Sequence, residues 1–216
     1  MTCSVECRLR HYRAVNLKKE HGSRQTARNG TVYAETESQP QSSKMFVDDE
    51  LTFKRWSLKS DRVVRTASVL YGLEHENEAA ELYARTFGRN VYRVGLVINP
   101  SCAFLGCSPD RRVLDLDTTS SEWGLLEIKC TTHTSVTECD YLQKPRGNGG
   151  KLALKITHSY YYQVMAQMGL TGSSWCDFFV YATSDYHLER INFDEQFFND
   201  MMTKVTNFYF SHYLQC

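Results

Sequence analysis

Asp110 and the triplet Glu127-Ile128-Lys129 are the residues of this chain best suited to chemistry, and sixteen residues separate them. Two carboxylates can hold a hard divalent cation, and a lysine beside them can orient a water or offset charge on a phosphoryl oxygen. The chemistry of such a set is metal-assisted attack on a phosphodiester. The set exists only if the elements that carry it bring it together. Gly124–Cys130 reads as a buried strand, a short apolar run with two charges set into it. Side chains alternate across a strand, so Glu127 and Lys129 share one face while Leu126, Ile128 and Cys130 share the other. A carboxylate and an ammonium on a core strand are costly to bury unless they are paired. Asp110 follows Ser108-Pro109 and precedes Arg111-Arg112, at a turn entering a strand predicted over 111–116. If that strand is the hairpin partner of 124–130, Asp110 and Glu127 converge. The ordinary reading of Glu and Lys two apart on a strand is a solvated ion pair. The apolar surroundings and two further positions argue against it here.

Glu76 is the first. Ala80, Tyr83, Ala84 and Phe87 fall at i, i+3, i+4 and i+7, so a helix is predicted from about Leu73 to Phe87. Glu76 lies four residues before Ala80, on that core-directed face, whereas Glu74, Glu78 and Glu81 fall elsewhere. A glutamate in an apolar stripe is a candidate functional group; the competing role is a first-turn acid facing the helix dipole. Gln163 is the second. In His158–Leu170 the apolar stripe is Tyr161, Val164, Met165 and Met168, with Gln163 and Gln167 stacked beside it at i, i+4. Glutamines flanking a stripe usually face solvent, but the crowd Tyr160-Tyr161-Tyr162 favours a partly buried Gln163.

Four segments in order carry a resemblance. Gly72-Leu73-Glu74-His75-Glu76 with Ala79 comes first, then Leu105-Gly106-Cys107-Ser108-Pro109-Asp110. Leu126-Glu127-Ile128-Lys129-Cys130 follows, and then His158-Ser159-Tyr160-Tyr161-Tyr162-Gln163-Val164 with Gln167-Met168 and Thr171-Gly172. Together they resemble a YqaJ-type viral recombinase domain, related to lambda-type exonucleases within the PD-(D/E)XK nuclease superfamily, over roughly residues 69–213. The resemblance implies that Asp110, Glu127 and the backbone carbonyl of Ile128 bind metal and that Lys129 is the catalytic lysine. It places the family's helix glutamate on Glu76, which would hold a second metal or its water, and its helix glutamine on Gln163, which would orient water or phosphate. It further implies magnesium, with manganese as a substitute, and exonucleolytic hydrolysis of duplex DNA ends in recombination or DNA processing. A homo-oligomer and a single-strand annealing protein are the partners it suggests, with an intracellular location in nucleus or cytoplasm. Two departures stand out. Arg111 occupies the place where the family usually has glycine after Ser-Pro-Asp. The family's upstream Thr-Ala-Ser turn, implicated in gripping the DNA end, is missing from Arg8–Ala14; Thr66-Ala67-Ser68 occurs beside Glu76 instead. The competing reading is a nuclease-fold module that binds nucleic acid and cuts weakly or not at all. A metal-and-phosphate site does not report the sugar, so an RNA substrate is a third.

Composition is consistent with one core. The 216 residues are 42% hydrophobic and 12% aromatic with a net charge of zero, so whole-chain electrostatics do not advertise nucleic acid. No run is long enough to span a membrane, and Met1-Thr2-Cys3 does not open a secretory signal. Residues 1–30 are locally basic, with Arg8, Arg10, Arg13, Lys18, Lys19, Arg24 and Arg28 against Glu6 and Glu20, a composition able to contact phosphates. Eight cysteines do not make a disulfide scaffold at this length. Cys102, Cys107, Cys130 and Cys176 read as buried thiols, and Cys3, Cys7 and His11 as an incomplete zinc spacing lacking a fourth ligand. Residues 1–45 form a basic, poorly patterned segment; residues 46–216 form the nuclease-like domain. Within it the pattern predicts a helix around Trp56, then the helix near 70–87. Strands follow near 91–98, 103–107, 111–116 and 124–130, then a mobile basic loop at Lys144–Lys151. Helix 158–170, strands near 175–182 and 187–192 and a last helix through Phe198–Tyr209 complete it. That order implies an α/β fold with a restriction-endonuclease-like core, a central mixed β-sheet flanked by α-helices.

Overall fold

Thr66 opens the first described helix, α1 (Ala67–Phe87), by accepting a hydrogen bond from the Val69 N–H at 3.3 Å. Gly88 closes it in the left-handed conformation, φ 64°, its N–H bonded to the Ala84 carbonyl. Thr66-Ala67-Ser68 is therefore a helix start, which accounts for its place beside Glu76. The computed structural model describes residues 66–100, 104–119, 121–144 and 151–213. The basic arm, the helix expected around Trp56, the Cys3-Cys7-His11 spacing, Cys102 and most of the loop Lys144–Lys151 lie outside the described residues.

Among the described residues nine strands follow α1: β1 (Asn90–Arg93), β2 (Val97–Ile98), β3 (Gly106–Cys107), β4 (Arg111–Leu114), β5 (Trp123–Cys130), β6 (Leu142–Gln143), β7 (Ala153–Leu154), β8 (Trp175–Tyr181) and β9 (Tyr186–Asn192). Helix α2 (Ser159–Thr171) lies between β7 and β8, and α3 (Glu195–Phe208) follows β9. The main sheet has the order β1-β4-β5-β8-β9. All its pairs are antiparallel except β5-β8, which is parallel. Parallel neighbours need a long connection, and residues 131–174 supply it, carrying α2 across one face. The mixed α/β class with a central mixed sheet is as expected. The single strand expected over 91–98 is not: β1 pairs with β4, while β2 leaves the sheet after the Gly95 break to pair with β3. The strand expected over 111–116 stops at Leu114, where the chain turns and the Asp115 carboxylate accepts from the Asp117 N–H at 3.2 Å.

The core forms in layers. On one face, Ala79, Ala80 and Tyr83 of α1 pack on Val113, Leu126, Ile128, Trp175 and Phe179. On the other, Val164, Met165 and Met168 of α2 pack on Leu125, Cys176, Phe178 and Val180. Helix α3 then covers the back of α2, through Phe198, Met201, Met202 and Val205 against Ala166 and Leu170. Gly169 sits at that crossing: a Cβ there would lie 2.1 Å from the Phe198 ring. Helix α2 is thus buried on two sides, which is why both of its glutamines are inside. Cys107 and Cys176 are buried free thiols as expected, whereas Cys130 is half-buried, since it ends its strand; Cys139 is a further buried thiol. No described helix is long and apolar enough to cross a membrane.

A second polar feature ties α1 to the sheet. Asp177, fully buried on β8, accepts from Tyr83 Oη at 2.5 Å, Arg89 at 2.6 Å and Arg190 at 2.7 Å. Asp115 shares the same arginines, with Arg190 at 2.7 Å and Arg89 at 3.0 Å. Two acids facing two guanidiniums balance in charge, and the short bonds offset the cost of burying them. Arg190 also lies 3.7 Å over the Trp175 ring.

Candidate active site

The β4-β5 ladder decides the geometry. Arg111 pairs with Leu126, so Asp110, one residue earlier, stands next to Glu127, one residue later. The Asp110 carboxylate is anchored there by the Ile128 N–H, which donates to Oδ2 at 2.7 Å. Pro109 and Asp110 are both buried, so the turn is locked against the sheet.

Glu127 is 1% exposed and takes three donors. Lys129 Nζ bonds Oε1, Gln163 Nε2 donates to the same oxygen at 2.7 Å, and Gln167 Nε2 donates to Oε2 at 2.9 Å. Lys129 also sits 4.6 Å over the Tyr160 ring. Burial alone lowers the pKa of the Lys129 ammonium, but Glu127 and then Asp110 more than offset this, and the net shift is upward. Asp110 moves the other way from a solvated acid: burial first, then the Glu127 charge, push its pKa well above the carboxylate range. Lys129 and the Ile128 N–H pull it down, and Glu76 adds to the rise. Burial, reinforced by Glu127, also pushes the Cys107 thiol up to about 12, so it is protonated at neutral pH.

Glu76 comes to the same place from α1. Its side chain is 13% exposed and pairs with Arg111, whose Nη1 lies 2.7 Å from Oε1. Glu74, Glu78 and Glu81 are exposed. The structure thus gathers Asp110, Glu127, Lys129, Glu76 and Gln163 around one end of the β4-β5 pair. Among the described residues no three His, Cys, Asp or Glu side chains form a ready metal cluster. Lys129 engages one oxygen of Glu127, and Arg111 engages Glu76.

The donor chemistry nevertheless fits a hard divalent cation. The available groups are oxygens, two of them on adjacent buried carboxylates. The amide oxygens of Gln163 and Gln167 are buried with no hydrogen-bond partner, an expensive arrangement unless something else engages them. Two participants escaped the sequence reading. Gln167 was visible as the i+4 neighbour of Gln163, and that spacing was the signal that both would reach one target. Arg111 was visible only as a residue out of place; its partners come from α1, which sequence spacing does not relate to β4.

The family model for the YqaJ-like viral recombinase domain matches residues 20–174. The chain belongs to that family. Among solved structures it is similar to an alkaline exonuclease, LHK-Exo, from Laribacter hongkongensis. The two share 30% identity and a TM-score of 0.52, over 74% of each chain. The complex of LHK-Exo with dAMP matches with the same values. No curated protein matches the chain. All four segments that carry the resemblance start within the matched YqaJ-like region, and Asp110, Glu127, Lys129, Glu76 and Gln163 all lie inside it.

Proposed function

We propose that this chain is a metal-dependent exodeoxyribonuclease that hydrolyses phosphodiester bonds from duplex DNA ends, in recombination or DNA processing. The observation that carries the reading is the convergence of buried Asp110 and Glu127, with Lys129 and Gln163 both on Glu127. Membership of the YqaJ-like family and the likeness to an alkaline exonuclease support it.

Asp110, Glu127 and the Ile128 carbonyl would hold the ion. The chemistry supplied by bound magnesium, or manganese in its place, is Lewis-acid polarisation of the phosphate and a more acidic attacking water. The residues around it divide the remaining work. The Ile128 N–H fixes the rotamer of Asp110, and Gln163 and Gln167 fix that of Glu127, so both carboxylates are set before substrate arrives. Lys129 is held as an ammonium by Glu127 and Asp110. It would orient or deprotonate the attacking water, or offset charge on the phosphoryl oxygens. The Gln163 amide oxygen, having no protein partner, can accept a hydrogen bond from the attacking water.

The test uses purified full-length protein with end-labelled linear duplex, closed circular duplex and RNA, each with magnesium and with excess chelator. Linear duplex should be degraded only with the metal, and Asp110→Ala should abolish this while its circular dichroism stays native. Full cleavage in chelator refutes the metal mechanism, and full activity in Asp110→Ala refutes the site. Cutting closed circles as fast as linear DNA refutes dependence on ends. Binding of DNA without turnover points to a non-cutting module, and preference for RNA refutes the substrate.

A further inference from the structure

We infer that Arg111 takes the place of a second metal ion in this site, so that each chain binds one divalent cation and Glu76 serves the guanidinium rather than a metal. The inference rests on the metal-dependent reading above. Three carboxylates face the site: Asp110 from the turn before β4, Glu127 from β5 and Glu76 from α1. Two side-chain cations are already built in among them. Lys129 sits on Glu127. Arg111, 6% exposed, uses Nη1 to bond Glu76 Oε1 at 2.7 Å and the Asp110 carbonyl at 2.6 Å, and Nη2 to bond Asn77 Oδ1 at 2.8 Å.

Those three acceptors lie on two different elements and match a planar guanidinium, which presents donors in a fixed fork and stays charged. Breaking a buried pair of this kind leaves an uncompensated charge. An ion recruiting Glu76 would have to strip it from Arg111 and leave the guanidinium buried beside a new divalent charge. The charge balance points the same way. Among the described residues, three ionised carboxylates with Lys129 and Arg111 leave one net negative charge. One divalent ion and one bridging phosphodiester bring the total to zero; a second ion would leave two positive charges in a buried site.

The arrangement also explains what Arg111 does for Asp110. By holding the Asp110 carbonyl, Arg111 fixes the backbone of the residue whose side chain faces Glu127. The guanidinium thus supplies a fixed positive charge and a brace for the turn at once. That makes it a positioning residue, acting through Asp110 and Glu76.

The experiment counts ions directly. Manganese(II) is titrated into the full chain and free ion is followed by electron paramagnetic resonance, which reads stoichiometry independently of activity. Wild type should bind one ion per chain, as should Arg111→Lys, which keeps a cation. Arg111→Gly should release Glu76 and raise the stoichiometry to two, and Arg111→Gly with Glu76→Gln should return it to one. Two ions in wild type, or one in a natively folded Arg111→Gly, would overturn the inference while leaving the metal-dependent reading intact. No bound ion in wild type would sink both. Glu76→Gln in an otherwise wild-type chain keeps the test decisive should Arg111→Gly fail to fold. It should still bind one ion per chain, and loss of that ion in a natively folded variant would make Glu76 a ligand and overturn the inference.

Discussion

The Lys129–Glu127 pair should show strong thermodynamic coupling, and the structure sets its scale. Both side chains are buried, at 9% and 2% exposure. Lys129→Met preserves most of the stem volume but leaves Glu127 with only the Gln163 and Gln167 amides. Breaking a buried ion pair from one side costs about 3–5 kcal/mol. Two amide donors to a charged oxygen remain, each contributing on the order of 1.5–3 kcal/mol, so the loss should fall near the lower end, about 3 kcal/mol. Glu127→Gln strands the ammonium instead. Asp110 nearby and the Tyr160 ring at 4.6 Å offset part of that, and a loss of about 3 kcal/mol is again expected. The double variant contains no stranded charge. It should lose about 3 kcal/mol in total rather than the additive ~6, a coupling of about 3 kcal/mol. Urea unfolding of the four proteins, followed by circular dichroism, measures the cycle. Each single variant should also melt roughly 6–12 °C below wild type at this chain length. A coupling within about 0.5 kcal/mol of zero would show that the two groups do not share a buried environment in solution, and the preset Glu127 of the mechanism would fall with it.

Two other perturbations probe the scaffold. Burial alone would raise the pKa of Asp115, but Arg190 and Arg89 outweigh it and hold the carboxyl below its usual range. A lowered folded-state pKa stabilises above the unfolded value and is lost as pH falls through the folded one. The melting-temperature gap between wild type and Asp115→Asn should therefore be full near neutrality and close from about pH 5 downward, through the aspartate range; a gap that widens in acid would contradict the network. At the crossing of α2 and α3, Gly169→Ala should destabilise by about 1–3 kcal/mol despite its better helix propensity, because the new methyl meets the Phe198 ring. Adding Phe198→Leu should recover part of the loss in a thermal melt, and no recovery would place the strain elsewhere.

The sequence by itself was enough for the three described α-helices and most strands of the main sheet, though not for β6 and β7, and for most of the residues gathered at the candidate site. Alternation placed Glu127 and Lys129 on one face of a buried strand, because a strand has a period of two regardless of its neighbours. The i, i+3, i+4 rhythm of Ala80, Tyr83, Ala84 and Phe87 picked Glu76 out of four nearby acids, because a helix repeats locally. The limits of α2 and the buried thiols Cys107 and Cys176 were legible for the same local reasons. Pairings between distant elements were not. The strand expected over 91–98 divides because β1 and β2 find different partners, and a run of apolar residues carries no label for its partner. Gln167 reads like any flanking glutamine until α2 packs on the sheet and both amides meet Glu127 of β5. Arg111 reads as a departure from a turn motif until α1 brings Glu76 and Asn77 to it. Local periodicity specifies which way a side chain points on its own element. What it points at, and hence whether a buried charge is paired and what a site can bind, depends on contacts between residues dozens of positions apart, which only the packed layers decide.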